Sequence, residues 1–332
     1  MRMDWMVGCT AAAAMLLSAL SAEATELKLA TTVPAKTPWG AYIAAIAKKA
    51  EVKSSGELKI EAFYGGVLGD EQATMGQLSR GRIDMAMVSI QVSALLEPGL
   101  EVLLLPFLWK DNAEFDCAID NHIGTMIHDM LLEQKVITLG YVEVPPYVLF
   151  AADPLRTPAD ISGKKWRAAP TKTSVAYLNA TGANAIPLGN TDMTTSLKTG
   201  GVAGASTSSV FGIALGLHKL APYVLVTHHT RVIGNVYVSQ KAWKRLSPAN
   251  QKILRELFAD HSAIRATARG AEKAMLGKAA KAGATVVIPN AEELAQWKAI
   301  AETTYQPLIA EFGGRSKEVW NIVQKAKAAC AS

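Results

Sequence analysis

The chain has 332 residues, of which 34 are basic and 29 acidic, giving a net charge of +5, and half of its residues are apolar. This composition excludes a disordered or collagen-like chain, and three cysteines are too few for a disulfide scaffold. The length favours two domains, and the basic residues form no stripe with aromatic residues, so we expect no nucleic-acid partner.

Residues 1–24 are typical of a secretory signal peptide. An uncharged apolar run from Met6 to Leu20 is followed by Ala22 and Ala24, which form an A-x-A end. A membrane anchor is the alternative, but the run is shorter than the roughly 20 apolar residues that span a bilayer. We therefore expect export and cleavage after Ala24.

Two cysteines remain in the exported chain, Cys117 and Cys330. An oxidising compartment would allow them to form a disulfide. The sequence gives no distance between them, so it favours two independent residues of the core or of the tail.

Strands and helices alternate in the first part of the chain. Period-two or apolar runs predict strands at 27–33, 57–63 and 83–89. A helix is expected from Pro38 to the stop at Gly56, and Asp70 is expected to cap a second helix that ends near Gly81. This order predicts an α/β fold with a mostly parallel sheet.

The pattern restarts after Pro145 and Pro146. Strands are predicted at 147–152, 164–169, 184–187, 202–205 and 284–288. Helices are predicted at 171–181 and 192–198, with a capped helical start at 157–160 and one unbroken helix over 248–282. We place the first domain at 25–144 plus 234–275, and the second at 145–233 plus 276–332.

Motifs for catalysis are missing from the sequence. It contains no nucleophile elbow, no H-E-x-x-H pair and no phosphate-binding glycine loop. His228 and His229 are adjacent and point to opposite faces in a strand, which favours packing roles over a shared metal. Asp84 and Asp192 have no obvious acid–base partner. The sequence therefore predicts no enzyme activity, no metal and no cofactor.

Arg167 stands out because it ends the strand KKWRAA, before a loop and a helix. In open α/β sheets, ligands bind beyond the carboxyl ends of the strands. A guanidinium at that place can hold a carboxylate through two parallel hydrogen bonds, although a surface arginine is the alternative.

Five stretches resemble the DctP-type substrate-binding proteins of tripartite ATP-independent periplasmic (TRAP) transporters. In chain order they are LKLATTVPAKTPWG, LGDEQATMGQLSRGRIDMAMVS, LPFLWKD, TPADISGKKWRAAPTKTS and GANAIPLGNTDMTTSLKTGGVAG. The resemblance implies a two-domain periplasmic-binding-protein-like fold with a hinge and a long domain-spanning helix. It also implies a periplasmic receptor that closes on an organic acid and delivers it to small and large integral membrane subunits.

The resemblance also implies positions for the binding site. Arg167 matches the arginine that binds the substrate carboxylate in most members. Tyr147 stands where acid-binding members often carry a second arginine, and Thr207 stands where an asparagine often meets the ligand. Thr32 and Ser89 occupy two further ligand-facing positions.

Compared with the common pattern of the family, this chain keeps one cationic residue, Arg167, and has hydroxyl groups in place of other charged and amide side chains. A second buried carboxylate would lack a cation, so we expect a monocarboxylate with an apolar or aromatic body. Trp39, Tyr147, Phe211 and Tyr237 are expected to line its pocket. The alternatives are a ligand-sensing subunit for a signalling partner and an exported enzyme.

Overall fold

Two separate β-sheets organise the protein, and the computed structural model describes residues 24–331. The eleven strands in this described part of the chain are β1 (Thr25–Ala30), β2 (Leu58–Phe63), β3 (Met85–Ser89), β4 (Val136–Val144), β5 (Tyr147–Ala151), β6 (Lys165–Ala168), β7 (Asn184–Pro187), β8 (Gly204–Ser208), β9 (Tyr223–Leu225), β10 (Val232–Ser239) and β11 (Thr285–Val287).

Among residues 24–331, thirteen α-helices pack around these sheets. They are α1 (Pro38–Lys53), α2 (Glu71–Ser79), α3 (Asn112–Ala118), α4 (Gly124–Glu133), α5 (Lys172–Ala180), α6 (Asn190–Lys198), α7 (Ser209–Ala214), α8 (Leu217–Leu220), α9 (Gln240–Arg245), α10 (Pro248–Ala259), α11 (Ser262–Lys281), α12 (Ala291–Phe312) and α13 (Ser316–Ala329). Among the described residues, no helix combines the length and the apolar character needed to cross a membrane.

The first sheet has five strands in the order β2-β1-β3-β10-β4. Strands β1, β2 and β3 are parallel, as the sequence predicts, whereas β10 runs antiparallel between β3 and β4. All eight residues of β10 are buried, so the strand lacks the alternation of polar and apolar residues that reveals a half-exposed strand. This interior strand was not predicted.

The second sheet has six strands in the order β11-β9-β5-β8-β6-β7. Strands β6, β7 and β8 are parallel, and β5 is antiparallel to β8 and to β9. Strand β8 covers Gly204–Ser208 rather than the predicted 202–205, and the predicted helical start at 157–160 is a single 3-10 turn over Pro158–Ile161. The α/β class with two sheet-based halves is confirmed.

Helix α1 begins where the sequence predicts. Thr37 has extended backbone angles and its hydroxyl accepts a hydrogen bond from the Gly40 N–H, while Pro38 occupies the first turn. The helix ends at Lys53, and Gly56 follows with a φ of 87°.

The single helix predicted over 248–282 is two helices, α10 and α11. The chain becomes extended at Asp260, whose carboxylate accepts a hydrogen bond from the Ser262 N–H at 2.9 Å and so starts α11. Helix α11 has 20 residues and is therefore about 30 Å long. It contacts β4 of the first sheet, β11 of the second sheet and α7, which follows β8 of the second sheet, so it is the domain-spanning helix.

Cys117 and Cys330 form a disulfide, with their Cα atoms 5.8 Å apart. The expectation of two independent cysteines is wrong. The bridge joins α3 to the end of α13 across 213 residues of sequence, a separation that carries no signal of proximity.

The chain crosses between the sheets after β4 and again before β10. The two crossing segments are hydrogen-bonded, since the Tyr147 N–H donates to the Thr230 carbonyl at 2.9 Å and the His229 N–H donates to the Tyr147 carbonyl at 3.2 Å. The domain boundaries stay a prediction. Helix α13, which we assigned to the second domain, packs on α3 and on the 3-10 turn Pro98–Leu104 of the first.

Candidate functional site

A cavity lies between the two sheets. Strands β3, β4, β5, β8 and β10, together with the starts of α1, α2, α6 and α7, supply its walls. Six of the predicted site residues line it: Thr32, Trp39, Ser89, Tyr147, Thr207 and Phe211. The walls are otherwise mostly apolar and include Val33, Met87, Val88, Val142, Val144 and Val232.

Arg167 lies immediately behind this wall. It is 1% exposed, and its guanidinium donates to the carbonyl oxygens of Leu188 at 2.9 Å and Ser206 at 2.7 Å, and to Oδ1 of Asn190 at 3.2 Å. A guanidinium has five N–H donors, so two remain for a ligand. Among residues 24–331, no carboxylate forms a salt bridge with Arg167.

Burial lowers the pKa of Arg167, and the acidic groups of Tyr147, Asp70 and Glu71 oppose this shift. An arginine guanidinium stays protonated in proteins, so Arg167 carries a positive charge. A buried charge without an ion-pair partner is costly to keep, which is typical of a site that receives an anion.

Tyr147 presents its hydroxyl to the cavity at the start of β5. The hydroxyl donates to Oε1 of Gln91 at 2.9 Å, and burial raises the pKa of Tyr147 to about 12. The phenol therefore stays neutral at physiological pH and serves as a hydrogen-bonding group in place of a second cation.

Glu71 was not predicted, although it lines the cavity as the first residue of α2. Its carboxylate accepts hydrogen bonds from the Ser89 hydroxyl at 2.5 Å, the Ser89 N–H at 3.1 Å and the Thr32 hydroxyl at 3.4 Å. Burial raises the pKa of Glu71 to about 7, and the neighbouring Asp70 adds to the increase. The sequence did contain a signal for Glu71, because Asp70 and Glu71 follow the carboxyl end of β2, where ligands bind in open α/β sheets.

Asp70 does not cap α2 as expected, because its side chain makes no cap hydrogen bond there. Its Oδ2 accepts instead from the N–H of Asn190, the first residue of α6, at 3.2 Å. Asn190 also lines the cavity and was missed.

The predicted aromatic residues divide into two groups. Trp39 and Phe211 line the cavity, and the Trp39 indole N–H donates to the Glu143 carbonyl at 2.8 Å. Tyr237 does not line it, so this prediction is wrong. Its hydroxyl pairs with Ser93 at 2.7 Å in the apolar core, while Val232 and Gly234 of the same strand face the cavity.

His229 has the packing role that the sequence favours, whereas His228 is exposed, and the pair lies in a loop rather than in a strand. His229 is buried between the hydroxyls of Ser206, at 2.8 Å, and Thr227, at 2.7 Å, and burial lowers its pKa to about 3. His228 instead meets Glu272 at 3.1 Å. Within the described part of the chain, three potential metal ligands come together only at Cys117, His122 and Cys330, where the disulfide occupies both thiols.

Comparison with known proteins identifies relatives over most of the chain. Residues 29–311 match the family described as bacterial extracellular solute-binding protein, family 7, also called DctP. A solute-binding protein of Chromohalobacter salexigens is 28% identical over 262 residues, which cover 77% of this chain and 78% of that one.

Solved structures show the same fold. A TRAP periplasmic solute-binding protein of Chromohalobacter salexigens with bound D-glucuronate aligns with a TM-score of 0.85 at 24% identity, over 91% of this chain and 99% of that one. A sugar acid binding protein of Advenella mimigardefordensis in complex with galactonate aligns with a TM-score of 0.86 at 23% identity, over 92% and 99% of the two chains.

Proposed function

The chain belongs to family 7 of the bacterial extracellular solute-binding proteins, and from this premise we propose that it is a TRAP receptor that binds an organic acid between its two halves. It is a binding protein rather than an enzyme, as its family is. The observation that carries the proposal is the buried Arg167 guanidinium, which donates to the cavity-lining Asn190, keeps two N–H groups without a partner and has no carboxylate partner among residues 24–331.

The carboxylate of the ligand pairs with Arg167. Each charge-assisted hydrogen bond contributes roughly 1.5–3 kcal/mol. Two such bonds supply about half of the roughly 8 kcal/mol that corresponds to micromolar affinity. The remainder comes from the body of the ligand, which the cavity walls enclose.

The walls favour a monocarboxylate with an apolar or aromatic body. Valine side chains, Trp39 and Phe211 form most of the cavity surface. A second carboxylate would meet Tyr147, which is neutral, and Glu71, which is acidic. Burying it there without a cation would cost several kcal/mol, on the order of the whole binding free energy.

A sugar acid is the second candidate. Glu71, Ser89, Asn190 and Thr207 supply carboxyl, hydroxyl and amide groups that suit the hydroxyls of a polyol. Glucuronate and galactonate, bound by the solved relatives, belong to this class. Both candidates place one carboxylate at Arg167 and differ in what the opposite wall contacts.

A thermal-shift panel with isothermal titration tests the proposal and separates the two candidates. Benzoate, octanoate, D-glucuronate, galactonate and succinate are each added to the wild type, to Arg167→Lys and to Tyr237→Phe. We expect one class of monocarboxylate to stabilise the wild type and Tyr237→Phe alike, because the Tyr237 hydroxyl contacts Ser93 and not the cavity. Arg167→Lys loses the planar fork and should bind at least tenfold more weakly.

Succinate binding more tightly than every monocarboxylate would contradict the proposed ligand class. Unchanged affinity in a folded Arg167→Lys would contradict the proposed site. Circular dichroism of each variant establishes that it is folded.

We propose that the protein is periplasmic and delivers its ligand to the small and large membrane subunits of a TRAP transporter. The signal peptide that would direct export lies outside the described residues. Uptake of the identified acid into vesicles that contain both subunits should require this protein.

A further inference from the structure

The two halves of the protein touch at the edge of the cavity, where Asp70 meets the start of α6. Asp70 follows β2 of the first sheet, and Asn190 follows β7 of the second. Oδ2 of Asp70 accepts the backbone N–H of Asn190 at 3.2 Å. This contact crosses the cleft, so it exists only while the two halves are together.

Asn190 links the same contact to Arg167. Its Oδ1 accepts from Nη2 of Arg167 at 3.2 Å, and its Nδ2 donates to the Thr32 hydroxyl at 3.4 Å. The hydrogen bond between the Asn190 backbone and Asp70 therefore fixes the position of Asn190. The side chain of Asn190 in turn connects Arg167 with Thr32 of the other half.

The Asp70 carboxylate occupies the space that a side chain at position 189 would fill. A Cβ atom at position 189 would lie 1.9 Å from Oδ2 of Asp70, much closer than non-bonded atoms approach. The backbone at Gly189 has a φ of −62°, which every residue type adopts, so conformation does not require a glycine there. The cost of a side chain arises only when the cleft is closed.

The charge of Asp70 suits this position. A carboxylate beside the first N–H groups of α6 is stabilised by the positive end of the helix dipole. Oδ1 of Asp70 is buried and has no hydrogen-bond partner among the described residues, so the backbone contact at Asn190 is what holds this side chain.

We propose that Asp70 and the Gly189–Asn190 backbone form a latch that holds the cleft closed and positions Asn190 against Arg167. This proposal rests on the proposed function, because it assumes that the halves open and close around a ligand. Asp70 acts through Asn190 and is a positioning residue.

The experiment measures closure directly by electron–electron distance measurements between spin labels. Lys49→Cys in α1 and Lys198→Cys in α6 place labels at exposed positions of the two halves, and the native cysteines are paired in the disulfide. Distances are measured without ligand and with an excess of D-glucuronate or benzoate. The labelled background is compared with Asp70→Ala, Gly189→Ala, the double variant and Gly277→Ala.

We expect the ratio of closed to open molecules to fall about tenfold in Asp70→Ala and at least as much in Gly189→Ala. The double variant should equal Asp70→Ala, because removing the carboxylate removes the collision with Ala at position 189. Gly277→Ala is the matched control, since no atom lies within 4 Å of its added Cβ. It should match the labelled background.

A Gly189→Ala protein that closes as well as the control would overturn the latch and leave the receptor proposal intact. Additive losses in the double variant would also overturn it. A labelled background that shows one unchanging distance in every condition would instead overturn closure, and with it the proposed function.

Discussion

Two buried ionisable groups, Glu71 in the cavity wall and Arg167 behind it, lie near each other without forming an ion pair. Arg167 donates to two carbonyls and an amide, and Glu71 accepts from Ser89 and Thr32. Burial lowers the pKa of Arg167 and raises that of Glu71, so it disfavours the charged form of both. Arg167 should therefore increase the affinity for an acid ligand, and Glu71 should decrease it whenever its carboxyl group is ionised.

Affinity for the acid should consequently depend on pH. The pKa of Glu71 is about 7, so the group is mostly protonated at pH 6 and mostly ionised at pH 8. We expect the wild type to bind the identified acid about tenfold more weakly at pH 8 than at pH 6, from a repulsion of about 1–2 kcal/mol. Glu71→Gln carries no charge at either pH, and isothermal titration should show a smaller change. Equal pH slopes for the two proteins would contradict this role of Glu71.

Family resemblance identified some cavity residues, whereas others have no sequence pattern that distinguishes them from ordinary helix starts. Thr32, Ser89, Tyr147 and Thr207 line the cavity at positions inferred from the family resemblance. Glu71 and Asn190 begin helices, where acidic and amide side chains are common for local reasons. Asn190 has its partners across the cleft, and Glu71 has its partners on other segments of its own half, so no local pattern could reveal this second use.

At the scale of elements, the sequence predicts regular segments well and their interruptions poorly. Helix α1 and strand β7 occupy the predicted positions, because capping residues and apolar runs act locally. The break between α10 and α11 depends on one aspartate side chain within a sequence that otherwise favours a helix. The place of β10 inside the first sheet depends on a chain crossing between the halves, which periodicity does not record.

The disulfide is the element-scale feature with the clearest energetic consequence. It ties α13 to α3 and closes a loop of 213 residues. We expect Cys117→Ala/Cys330→Ala, or reduction of the wild type, to lower the free energy of unfolding by about 2–5 kcal/mol. Urea denaturation with and without a reductant measures this loss. As a control, the reductant should not change the stability of the double variant, which has no disulfide to reduce. A double variant as stable as the oxidised wild type would contradict the prediction.

On the scale of the whole molecule, the chain assembles the proposed ligand site from two separate sheets. The first half contributes Thr32, Glu71 and Ser89, and the second contributes Tyr147, Thr207 and the buried Arg167. Helix α11 and the hydrogen-bonded crossing segments keep these halves together. The site is complete only while the halves are in contact, which is how a receptor couples binding to a change of shape.

Native mass spectrometry of the protein, purified after export without refolding, would show whether Arg167 holds a carboxylic acid. We expect a co-purified carboxylic acid, identified after denaturation, that is lost in a folded Arg167→Ala variant and kept in Tyr237→Phe. A bound acid that remains in Arg167→Ala at the wild-type level would contradict the claim that this arginine holds the ligand.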